Sequence, residues 1–117
     1  MSTTNDLIVA QKLEDVTIML HHLLEAVPRK EQFALVEDIK KQVYLIYRLL
    51  IHVNTLRSGR KEYYTELSEE FQFLIYLVRL VNRLGHITAK QYINYAKRHD
   101  EVVRICCGWL NNTDSEK

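Results

Sequence analysis

Apolar residues recur along this chain at steps of three and four, the spacing of one face of an α-helix, in four successive blocks. The clearest block follows Pro28, which suits a first helical position because its missing N–H is not needed there. Phe33, Val36, Ile39, Val43, Ile46, Leu50 and Val53 mark its seam. Leu35, Tyr44, Leu45, Tyr47, Leu49 and Ile51 fill the other faces of its latter half. A helix apolar on so many sides requires a core around it or a partner chain.

Ahead of Pro28, Leu13, Val16, Leu20, Leu23 and Val27 form a first stripe, which Asn5 or Asp6 can cap. It ends at Val27, because the residue before proline avoids helical dihedrals. Arg57 to Lys61 reads as a short loop with basic flanks. The third block has a seam of Leu67, Phe71, Leu74, Val78 and Val81, with Tyr64 at its start. Phe73, Tyr76, Leu77 and Leu80 lie off that seam. Gly85 is placed to cap this helix, and Thr88 with Gln91 fits a capping box for the next. In the fourth block Tyr92, Ala96, His99, Val103, Cys106 and Leu110 form the seam. Together these blocks predict an all-α, antiparallel up-down-up-down four-helix bundle in one domain. Its helices span about 6–27, 29–56, 62–84 and 88–110, followed by a polar tail at 111–117. The surplus apolar residues of the second and third helices make that wall the expected subunit interface, with Tyr44, Tyr47, Arg48, Ile51, Phe73, Tyr76, Leu77 and Leu80 in it. Arg48 there is either an ion-pair partner or a residue lining the axis of the assembly.

Composition supports long helices: 117 residues include three Gly and one Pro. The net charge of +1 says nothing for nucleic acid, but its distribution is uneven. Residues 1–39 carry a balance of −4 and residues 40–104 one of +6, a polarity suited to an anionic partner. Cys106 and Cys107 are adjacent and fit neither a relaxed disulfide nor a Cys-x-x-Cys metal site, so thiols in a reducing cytoplasm are expected. No leader pattern opens the sequence, and the longest apolar run, Phe73 to Val78, is far short of the ~20 residues of a membrane span. Neither secretion nor a membrane is expected, and the acceptor-like Asn111-Asn112-Thr113 carries no weight without a leader.

Candidate chemistry is sparse. None of the five histidines has a carboxylate three residues before it, as a bundle di-iron site would need. His21 and Glu25 share a face, a pairing common by chance, and His99 in the seam reads as a hydrogen-bonded core residue. No histidine has the surroundings of a phosphotransfer site, and neither an acyl-transfer motif nor a phosphate-binding glycine loop is present. No catalytic residue, metal or cofactor is therefore expected. The basic residues are better ordered. Lys90, Lys97 and Arg104 fall seven apart on the fourth helix beside Arg98, Arg79 and Arg83 form an i, i+4 pair, and Arg57, Arg60 and Lys61 cluster beside Tyr63 and Tyr64. Such rows follow phosphates, and a nearby tyrosine can stack on an unpaired base. The same rows also serve simply to solvate a helix, and Glu101 interrupts one of them.

Two stretches carry a resemblance. Val27, Pro28, Arg29 or Lys30, Glu31 and Phe33 introduce the second helix as in the accessory variability determinant (Avd) proteins of diversity-generating retroelements. Ile87, Thr88, Lys90, Gln91 and Tyr92, with the closing Gly108, Trp109 and Leu110, are similar to that family's later turn and end. The likeness covers about residues 7–110, and the bundle is shared with proteins encoded in intervening sequences of bacterial 23S ribosomal RNA genes. The resemblance implies a non-enzymatic homopentameric barrel that associates with the reverse transcriptase and its template RNA, or an RNA/DNA hybrid, and supports mutagenic retrohoming. The alternative is a structural bundle of the intervening-sequence type with no polymerase partner. The Avd family is markedly basic and this chain is nearly neutral, a departure that bears on nucleic acid affinity.

Overall fold

Four helices account for most of the computed structural model, which describes residues 4–115 and the side chains of residues 8–111. The first helix is Thr4–Leu24. Its backbone is already helical at Asn5 and Asp6, the residues expected to cap it; their side chains lie outside the described residues. The second runs through residues 29–54 in three parts: a turn at Arg29–Glu31, a π-helical segment at Gln32–Val36 and an α-helical body at Glu37–Asn54. A 3₁₀ turn at Arg60–Tyr63 leads into the third helix, Tyr64–Arg83. The fourth is Ala89–Ser115, so the stretch after Leu110 continues the helix where a tail was expected. There is no strand among the described residues.

The helices form a four-helix bundle. The first packs on the fourth, the fourth on the third and the third on the second. The bundle is a rod of 48 × 24 × 22 Å, and its length is close to that of the fourth helix, ~40 Å at 1.5 Å per residue. Its core follows the predicted seams of the first three helices closely: Leu13, Val16, Leu20 and Val27, then Val36 through Val53, then Leu67 through Val81 are buried. Gln42, also buried, donates to the Glu70 carbonyl at 2.9 Å and to its carboxylate at 3.1 Å, which joins the second and third helices.

Three readings of the pattern need correction. Phe33, assigned to the second seam, is 83% exposed. A π-helical turn adds a residue to the local period, so the 3.6-residue spacing that links Val36 to Val53 fails one turn earlier. Gln32 in that segment instead donates to the carbonyls of Leu24 and Val27, satisfying the end of the first helix. Leu24 rather than Leu23 is buried at that end. In the fourth helix Tyr95, Val102 and Trp109 are buried with His99, Cys106 and Leu110, while Tyr92, Ala96 and Val103 are half-buried. Tyr95 and Trp109 carry the larger apolar area, and rotating them inward removes more of it from water.

Pro28, expected at the first helical position, instead precedes it as the N-cap of Arg29–Glu31, whereas the two caps around the third loop fall where expected. Gly85, at φ +85°, ends the third helix, with Gly85 N–H donating to Asn82 and His86 N–H to Val81, the double bond of a left-handed cap. The Thr88 N–H donates to the Gln91 side chain at 2.8 Å, and the Gln91 N–H to the Thr88 hydroxyl at 3.0 Å. That reciprocal pair starts the fourth helix.

Candidate functional site

The predicted basic residues divide by what already engages them. Arg60 is turned back onto its own chain: Nε donates to the Leu56 carbonyl at 3.1 Å and Nη2 to that of Asn54 at 3.2 Å. Its guanidinium lies 5.1 Å from the centre of the Trp109 ring, a cation–π contact with the last buried aromatic of the fourth helix. Arg60 thus closes the loop after the second helix, while Arg57 and Lys61 beside it are exposed. Arg104 reaches Asp100 at 3.3 Å. Lys90, Lys97 and Arg98 on the fourth helix are exposed, as are Arg79 and Arg83 on the third.

Lys97 and Arg98 border the seam where the first helix packs on the fourth. Two adjoining depressions of about 330 and 500 Å³ open there, sharing Met19, Arg98 and Glu101. Lys12 crosses to Glu101 at 3.0 Å, and that hydrogen bond with its charge holds the Glu101 carboxyl below its ordinary value. Lys12, Asp15 and Asn94 therefore join Lys97 and Arg98 along one groove. Sequence spacing gave no signal for Lys12, because its neighbours in space lie on the far end of the chain.

The apolar candidates also divide. Tyr44, Ile51, Phe73, Tyr76 and Leu80 are exposed at 53, 65, 52, 54 and 44%. Tyr47 and Leu77 are half-buried and pack against the core, and Arg48 is exposed. The Tyr47 hydroxyl donates to Thr17 Oγ1 at 3.3 Å, and Thr17 in turn donates to the Leu13 carbonyl at 2.7 Å. Burial, the leading cause, raises the Tyr47 phenol above its ordinary value.

The buried titratable groups form a separate cluster. His99 Nδ1 lies 3.2 Å from the Tyr95 hydroxyl, the ring also hydrogen-bonds the backbone of Phe71, and it meets the Phe71 ring edge-on at 5.6 Å. A neutral imidazole satisfies both contacts, accepting at one nitrogen and donating from the other. Burial pulls its pKa down to about 4. Cys106 is fully buried, which pushes its thiol up to about 12, whereas half-buried Cys107 sits 3.7 Å from Ser68 Oγ. His22, rather than His21, approaches Glu25, at 3.7 Å. No group of three or more His, Cys, Asp or Glu placed to hold a metal occurs among the described residues. No helix among them is long and apolar enough to cross a membrane.

Compared with known proteins, the chain matches the family described as bAvd-like over residues 7–113. No curated protein and no solved structure gives a match.

Proposed function

The chain belongs to the bAvd-like family, and from that premise we propose that it is a non-catalytic accessory protein of a diversity-generating retroelement. In this reading it works in the cytoplasm with the reverse transcriptase and its template RNA during mutagenic reverse transcription. Its single antiparallel bundle assembles as a homopentamer through the apolar surplus of the second and third helices, including Tyr44, Ile51, Phe73, Tyr76 and Leu80. The exposed cations Lys90, Lys97 and Arg98, with Arg79 and Arg83, face the anionic nucleic acid. Arg57, Lys61 and Arg104 extend that surface, and Arg60, already committed to Leu56, Asn54 and Trp109, supports it from within.

The observation that carries the reading is the family match across residues 7–113. The exposed cations support the nucleic acid part: each phosphate they neutralise releases counterions, so binding should weaken with salt at a slope of about 0.7–0.9 per contact. The test is co-purification with the reverse transcriptase and template RNA of the same element, followed by replacement of Arg79, Arg83, Lys97, Arg98 and Arg104 by Glu. Retention of both partners by the wild type and their loss in the variant, with helix content unchanged, is expected. Binding that persists in the variant at moderate salt would refute the role of these cations.

A further inference from the structure

Glu101 interrupts the basic row of the fourth helix and lines both depressions of the groove between that helix and the first. Each side of the groove is a helical stripe. Lys12, Asp15, Val16 and Met19 on the first helix follow the i, i+3, i+4, i+7 spacing of one helix face. Asn94, Lys97, Arg98 and Glu101 on the fourth do the same. Lys12 meets Glu101 at one end, and Met19 lies with Asn94 and Lys97 at the other. The two depressions thus join in a trough that runs with the helices for about 10 Å, at 1.5 Å per residue.

The floor of the trough is apolar, with Val16 and Val102 buried and Met19 half-buried. Its rim is charged: Lys12, Lys97 and Arg98 supply three cations, Asp15 and Glu101 two carboxylates, and Asn94 an amide. An open trough with cations on both sides suits a chain that lies along it. An unpaired strand of nucleic acid offers phosphates to the cations and base faces to the floor, whereas a duplex turns its base faces inward. One of the three cations is already engaged. Glu101 takes Lys12 at 3.0 Å across the trough, while Lys97 and Arg98 have no ion pair among the described residues. The charges of Arg98 and Arg104 act on the same carboxylate. Glu101 therefore stands where an incoming phosphate oxygen would be held best.

Resting on the nucleic acid reading of the preceding section, we propose that the groove between the first and fourth helices holds a single-stranded RNA segment, and that Glu101 competes with its phosphates for Lys12. The phosphates follow Lys97, Arg98 and Lys12, and the bases lie over Met19, Val16 and Val102. Lys12 swings from Glu101 to a phosphate as the strand enters, and the carboxylate left beside that phosphate repels it. The Lys12–Glu101 bridge thus keeps the hold on the strand weak and reversible. The first helix, which carries none of the cations picked out by spacing, becomes one side of the binding surface.

The side chains of Lys12 and Glu101 are 42 and 39% exposed, so both can be replaced without opening the core. Binding of a short fluorescein-labelled oligouridylate to the full chain is read by fluorescence anisotropy over a salt series. Glu101→Gln should tighten it about two- to fivefold, the reach of an exposed ion pair. It should also steepen the salt slope by about 0.7, the value of one more phosphate contact on a single strand. Glu37→Gln, which removes an equal charge from the exposed side of the second helix, should tighten it less. Lys12→Ala should cost more affinity in the Glu101→Gln chain than in the wild type, where Glu101 already holds Lys12. Duplex RNA of the same length should gain nothing from Glu101→Gln. Equal gains from Glu101→Gln and Glu37→Gln, or additive effects of Lys12→Ala and Glu101→Gln, would overturn the competition for Lys12. An equal gain for the duplex would overturn the single-strand assignment. If neither the wild type nor Glu101→Gln binds either RNA, the nucleic acid reading itself falls.

Discussion

Buried His99 makes the stability of this bundle depend on pH, with a sign and size that follow from its surroundings. In the folded chain its pKa is about 4; in an unfolded chain it returns to the ordinary value near 6.5. Between those values the unfolded state binds a proton that the folded state refuses, so folding loses free energy as pH falls. The stabilisation is complete above about pH 6.5 and fades toward pH 4. From pH 7 to pH 5 this one group removes about 2 kcal/mol, on the rule that one unit of pKa corresponds to about 1.4 kcal/mol. That is a large share of the ~5–15 kcal/mol typical of a domain. The assay is urea unfolding followed by far-ultraviolet circular dichroism at one fixed protein concentration, so that any self-association contributes equally at every pH. His99→Gln, which keeps a donor and an acceptor near Tyr95 and Phe71, should be less stable at neutral pH yet lose less on acidification. If wild type and variant lose stability in parallel between pH 7 and pH 5, His99 is not the responsible group.

Arg60→Ala should lower stability by about 1–3 kcal/mol, because two backbone carbonyls lose a charged donor and Trp109 loses its cover; an unchanged urea midpoint would contradict that role. Thr88→Ala should cost about 1 kcal/mol by breaking the reciprocal cap with Gln91, read as a lower melting temperature. Iodoacetamide at neutral pH should label Cys107 and spare buried Cys106 until the chain is unfolded, with peptide mass spectrometry showing which thiol carries the adduct.

The seams of the first three helices were legible because most of their core residues obey one helical period and one amphipathic rule. Gly85 and the Thr88–Gln91 box were equally readable, since each is a local backbone requirement met by a few adjacent residues. Phe33 misled because a π-helical turn changes the period without marking the sequence. The fourth helix misled because two stripes cross at His99 and Cys106, and only the bulk of Tyr95 and Trp109 decides between them. Arg60 looked like its neighbours Arg57 and Lys61; its engagement with Trp109 joins residues 49 positions apart, beyond any spacing rule. The Lys12–Glu101 bridge was hidden for the same reason.

The packing of the first helix on the fourth also orders events in time. That pairing brings together Thr4–Leu24 and Ala89–Ser115, segments from opposite ends of the chain, and so closes the longest loop in the molecule. Loop entropy rises with length, and contacts distant in sequence are slow to form. The second, third and fourth helices meet over much shorter separations. Val9 and Leu13, which with Tyr47, Leu50, Ile51 and Trp109 line a small apolar pocket, arrive with this latest pairing. A chain whose two ends have not yet met therefore lacks one wall of that apolar pocket, which is completed only with the last step of the fold.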